Sequence, residues 1–120
     1  MIISEPGPDR PTTATEPVHD YADLVRRLVA GDPTATAQVI ALAPSCDDPA
    51  LLVAAAVASG DRGQLERASA SARTARDRQL VVLADAHLRG RHELFAVLVR
   101  EHLSTYPDHV LAAWIAAVNS

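Results

Sequence analysis

Four histidines crowd the second half of this 120-residue chain: His87, His92, His102 and His109, with Asp85, Glu93 and Glu101 among them. Imidazole and carboxylate together form the donor set of many zinc and nickel sites, which need two donors on one helical face and a base beside them. Here Gly90 separates His87 from His92, His102 follows ten residues later, and no HExxH-like pair forms. The expectation is therefore histidines scattered over the surface, with no metal and no cofactor. Cys46 is the single thiol and stands beside Asp47 and Asp48, whose charge disfavours a thiolate, so it reads as a structural residue. Ser59 lacks the context of a nucleophile elbow, and Gly60-Asp61-Arg62-Gly63 is too short for a phosphate loop and has no Lys. No paired carboxylates stand out, and the chain is expected not to be an enzyme.

The polar feature with most potential is Arg-rich, with Arg62, Arg67, Arg73, Arg76 and Arg78 within one stretch. On a helical wheel Arg67, Ser71 and Arg78 share one side, and Ser69, Arg73 and Arg76 an adjacent one. Guanidinium groups so arranged suit phosphates or carboxylates. A solvated helix face with Asp61, Glu66 and Asp77 interspersed is the plainer reading. If the surface docks a partner through Arg67, Arg73 and Arg76, an acidic protein segment is favoured over nucleic acid. Aromatic side chains for base stacking are absent from it, and the net charge is -4.

These side chains would be carried by helices. Ala, Leu, Arg, Gln and Glu favour helix, while Gly and Pro fall between periodic segments rather than inside them. Gly31, Gly60 and Gly90 recur at nearly equal spacing, each between two helical stretches, which predicts a helical hairpin of about 30 residues used three times. The first hairpin is expected over His19–Ala30 and Pro33–Ala43, with Tyr21, Leu24, Val25 and Leu28 forming an apolar stripe. Asp32-Pro33 and Asp48-Pro49 each read as a cap followed by a first-turn proline. The helix from Pro49 to Ser59 has no charge and no polar face, so it belongs in the middle of a bundle.

After Gly60, Asp61 and Gln64 resemble a capping box for a helix that should be the most exposed. The repeat period places a break near Thr74; the rival is one helix from Gly63 to Arg89, roughly 40 Å long at 1.5 Å per residue. A third hairpin surrounds Gly90, and Tyr106-Pro107-Asp108 leads into a last helix whose apolar stripe includes Leu111, Trp114 and Ile115. That stripe either closes the core or meets a partner, possible partners including a second copy of the chain.

Asp77–Val118 resembles the tetratricopeptide-type helical-hairpin proteins: Gly90 stands 17 residues before Pro107, that family's offset between turn glycine and terminal proline, and a final helix follows as a capping helix would. The match is partial. Thr36, Leu65 and Phe95 stand where the repeat prefers a small residue after the turn, and Asp48 and Asp77 occupy the proline position after the first two turns. The resemblance implies an all-α fold of three stacked hairpins plus a C-terminal capping helix, and protein–protein contact as its use. In that family the first helices line a concave surface. Their counterparts here carry Tyr21, Val25, Leu28, Ala54, Val57, Leu80, Ala84 and His87, an apolar set either filled by the protein's own packing or open to an amphipathic segment.

Residues 1–17, with Pro6, Pro8, Pro11 and Pro17, read as a flexible arm before a single helical domain over 18–120. They lack the pattern of a signal peptide, and the longest apolar run, Pro49–Ala58, is half of the ~20 residues a membrane helix needs. A cytoplasmic protein without membrane contact is expected. All eleven basic residues besides His are Arg, a bias that fits a GC-rich bacterial genome.

Overall fold

A computed structural model describes residues 21–119, which form seven α-helices and no strand: α1 Tyr21–Val29, α2 Pro33–Leu42, α3 Pro49–Ser59, α4 Gly63–Ser71, α5 Ala75–Leu88, α6 His92–Thr105 and α7 Val110–Asn119. The arm expected over residues 1–17 and the first two residues of the helix expected from His19 lie outside the described residues. Local chemistry accounts for most helix limits. Asp32 accepts from Thr34 N at 2.9 Å and Asp48 from Leu51 N at 3.0 Å, and in each case the following proline begins the helix where no intrahelical N–H is needed. Pro44 stops α2 within a short 3-10 turn, Ala43–Ser45.

The three turn glycines all adopt left-handed backbone, with φ of 95° at Gly31, 80° at Gly60 and 72° at Gly90. At Gly60 this lets the chain leave α3 while its N–H still donates to Ala56 O at 2.7 Å. A residue with a Cβ would be strained there.

The Arg-rich segment keeps one expected feature and departs from two. The chain does break near Thr74: Ala72 is extended (ψ 130°), and the Thr74 hydroxyl accepts from Asp77 N at 3.0 Å to start α5 afresh. The capping box expected at Asp61 and Gln64 does not form. Asp61 Oδ1 instead accepts from Gly63 N at 2.9 Å, an Asx turn, and Arg62 occupies the N-cap position without a side-chain bond. Nor is α4 the least enclosed helix. It buries Leu65 and Ala68 from 9 residues, whereas the 14 residues of α6 bury only Phe95 and His102.

The core gathers around α3. Six consecutive residues, Leu51 to Ala56, are buried, and α3 packs against α1, α2, α4, α5 and α7. An uncharged helix can be enclosed this way because every side loses apolar surface to a neighbour without stranding a polar group. Sequential neighbours pack together, α1 with α2, α3 with α4, and α5 with α6, while α1, α3 and α5 also meet in turn. The last helix then returns: α7 touches α6, α5, α3 and α1. The apolar faces expected to line a concave surface are therefore largely consumed within the chain. Val25, Leu28, Ala54, Leu80 and Ala84 are buried; Tyr21, Val57 and His87 are half-buried. No single helix among the described residues is long and apolar enough to cross a membrane.

Candidate functional site

The starts of α5 and α7 and the end of α6 meet at one junction, and two of the four second-half histidines are buried there. Side chains on α6 from His102 and just before α7 from His109 face each other because Tyr106, Pro107 and Asp108 turn the chain back between the helices. His102 Nε2 lies 2.6 Å from His109 Nδ1, and His102 Nδ1 lies 2.9 Å from Gln79 Oε1 on α5. His102 is 1% exposed and His109 5%. The expectation of surface histidines thus fails for this pair. Burial follows from the α6–α7 turn, a tertiary event that spacing along the chain does not reveal.

The hydrogen bonds assign the protons. Gln79 Oε1 can only accept, so His102 Nδ1 donates to it; His102 Nε2 is then an acceptor, and His109 Nδ1 donates to that nitrogen. The arrangement requires His102 to be neutral and places no demand on His109 Nε2. Burial disfavours the charged form of His102 and lowers its pKa, with the Arg76 guanidinium acting the same way. His109 is pushed down to about 4, first by burial, then by Arg76 and by His102. Tyr106 packs its ring 5.0 Å from that of His102 and completes the enclosure.

Clefts flank the pair on both sides. One, of about 290 Å³, lies between α1, the start of α3 and the start of α7, with Ala22, Val25, Val29 and Ala50 as apolar wall and Arg76, Asp108 and His109 at the junction. The other, of about 380 Å³, runs between α5 and α6 past Gln79, Leu98, Glu101 and His102. Among the described residues no group of three or more His, Cys, Asp or Glu side chains is placed to hold a metal ion.

The residues expected to meet a partner are dispersed. Arg67 is tied into the fold: its guanidinium donates to Ala43 O and, at 2.6 Å, to Cys46 O, with Gln64 Oε1 at 3.2 Å. It satisfies carbonyls where the chain leaves the 3-10 turn, positions that α2 cannot serve. Arg67→Ala is expected to destabilise the protein by about 2 kcal/mol in urea unfolding, the usual cost of losing charge-assisted hydrogen bonds, here to Cys46 O and to Ala43 O, which keeps only its bond from Cys46 N. Arg73→Ala should remain within about 0.5 kcal/mol, since Arg73 is an exposed residue of the α4–α5 link.

Arg76, in the first turn of α5, is exposed and borders the His109 cleft. Leu111 (3% exposed) and Ile115 (0%) face the core, so α7 spends the centre of its apolar stripe on closing the molecule. Trp114 is half-buried, while Val110 and Val118 are left exposed. Of the six residues singled out for docking, Arg73 and Arg76 are exposed, Arg67 and Trp114 are half-buried, and Leu111 and Ile115 are buried.

Comparison with protein-family models, curated proteins and solved structures finds no match.

Proposed function

We propose that the protein is a non-enzymatic protein-interaction module, a tetratricopeptide-like array of three helical hairpins capped by α7, which docks an acidic amphipathic segment along the exposed Arg edge. The observation that carries this reading is the coincidence of charge and apolar surface at one place. Exposed Arg73 lies in the α4–α5 link and exposed Arg76 in the first turn of α5, and Arg76, with Arg26 of α1, borders a cleft of about 290 Å³ walled by Ala22, Val25, Val29 and Ala50. An incoming helix with carboxylates on one side and small apolar residues on the other would satisfy both. Guanidinium groups would orient it through paired hydrogen bonds, and the apolar wall would supply burial. Pairing of successive helices and the contacts from α1 to α3 to α5 support the hairpin-array part of the reading.

Fluorescence anisotropy with a panel of labelled acidic amphipathic peptides tests the proposal. Binding is expected to weaken with salt and to fall at least tenfold in an Arg73→Glu, Arg76→Glu variant whose helical signal is unchanged. Equal binding by the variant, or binding that is indifferent to peptide charge, would remove the Arg edge from the interaction.

A further inference from the structure

We propose that the His102–His109 pair is a proton-operated latch: with both rings neutral it holds α7 in the channel between α1, α3 and α5, and acid releases α7 and uncovers the apolar faces beneath it. The argument begins with what each ring nitrogen can do. His109 Nδ1–H donates to His102 Nε2 at 2.6 Å, and His102 Nδ1–H donates to Gln79. A proton added at His109 Nε2 leaves the inter-ring bond intact. A second, at His102 Nε2, sets N–H against N–H, and that contact cannot persist.

The surroundings do nothing to compensate a charge. From α5 the pair meets Arg76 and Gln79, with Arg78 further along the second cleft; from α6 it meets Glu101, at the cleft rather than bonded to a ring, and the Tyr106 ring beyond the helix end. From the approach to α7 comes Asp108, and across the first cleft stand Arg26 of α1 and Asp48 before α3. Asp48 already accepts from Leu51 N, and Arg26 is engaged by Asp23 at 3.1 Å. Neither imidazole hydrogen-bonds a carboxylate among the described residues, and Arg76 opposes protonation of both.

The other end of α7 provides an internal contrast. There His87 Nδ1 lies 2.8 Å from Asn119 Oδ1, an oxygen that can only accept, so the imidazole donates. No second imidazole faces His87 at that contact, so the opposed N–H groups that protonation creates between His102 and His109 have no counterpart there. Because α7 is the last described helix and its neighbours pack on one another without it, release requires no unfolding of α3.

The sign follows from proton linkage. Both histidines take protons more readily once released than when enclosed, so release binds protons and is favoured as pH falls below the ordinary histidine value of about 6.5. The release constant should rise about tenfold per pH unit if one histidine contributes, and towards one hundredfold if both do.

Native-state hydrogen exchange on the full chain from pH 7 to 4.5, corrected for intrinsic exchange, reads this directly. Protection in Val110–Asn119 is expected to fall steeply with acid while Leu51–Ala56 stays protected, and Trp114 emission should shift to the red over the same range. Loss of protection in both segments together, or α7 protection independent of pH, would overturn the latch. The double variant His102→Gln, His109→Gln should flatten the α7 response. Should that variant not fold, Arg76→Gln gives a second arm: removing the opposing charge makes the enclosed pair more tolerant of protons, so release should move to lower pH. An unmoved or raised midpoint would count against the latch.

Discussion

Val53→Asp is expected to abolish cooperative folding, leaving a chain without a urea transition and with little helical signal at 25 °C. Val53 is 0% exposed, at the middle of a helix that packs on five others. A carboxylate there would have no donor within its enclosure except backbone groups already used by the helix. An unpaired buried charge costs several kcal/mol or forces protonation, and the lost methyl packing adds about 2 kcal/mol more. Against a total stability of about 5–15 kcal/mol for a domain, that sum consumes most of the margin. The matched control is Val82→Asp on α5, where the side chain is 51% exposed. Its midpoint should shift by less than about 0.5 kcal/mol. If the two variants behave alike, the buried position of α3 is incorrect.

A second large effect is expected at the opposite end of the chain. Ile115→Ala removes a side chain that is 0% exposed and should cost about 2–4 kcal/mol, the range for truncating an enclosed aliphatic residue whose surroundings relax only in part. Unlike the loss at Val53, this one should be felt locally. Tryptophan fluorescence, which reports α7 through Trp114, is expected to show an earlier urea transition than circular dichroism, which reports the whole chain. Val118→Ala, at a residue 47% exposed on the same helix, should leave both transitions in place. A neutral Ile115→Ala would mean that α7 does not close the core, and would return Leu111 and Ile115 to the pool of residues available to a partner.

The contrast between these two sites shows how differently the parts of this molecule can be read from residue order. The absence of charge from Pro49 to Ser59 demands enclosure on all sides, and α3 has it. The caps at Asp32 and Asp48 and the left-handed turns at Gly31, Gly60 and Gly90 are local devices, each decided within about four residues. Even the break at Thr74 carries a signal, Thr74-Ala75-Arg76-Asp77, in which a hydroxyl is placed three residues before the amide it caps.

The candidate site is a different matter. His102 and His109 resemble His92 in every respect that spacing can express, yet two are buried against each other and His92 is exposed. Arg67 and Arg73 are equally plausible on a helical wheel, yet one guanidinium is occupied by carbonyls of the chain leaving α2 and the other lies in an exposed link.

Helix limits are legible in the order of residues because capping, proline geometry and glycine freedom act over a single turn. Arg67 is decided instead by the packing of α4 beside the exit of α2, and the imidazole pair by the packing of α5, α6 and α7 at one junction. The burial of Leu111 and Ile115 depends on α7 returning to touch α1, residues some ninety positions apart in the chain. That closure is a balance of apolar faces summed over the whole array. No short stretch of sequence contains it, and only with α5 and α7 packed on α6 do two ordinary histidines become a buried pair.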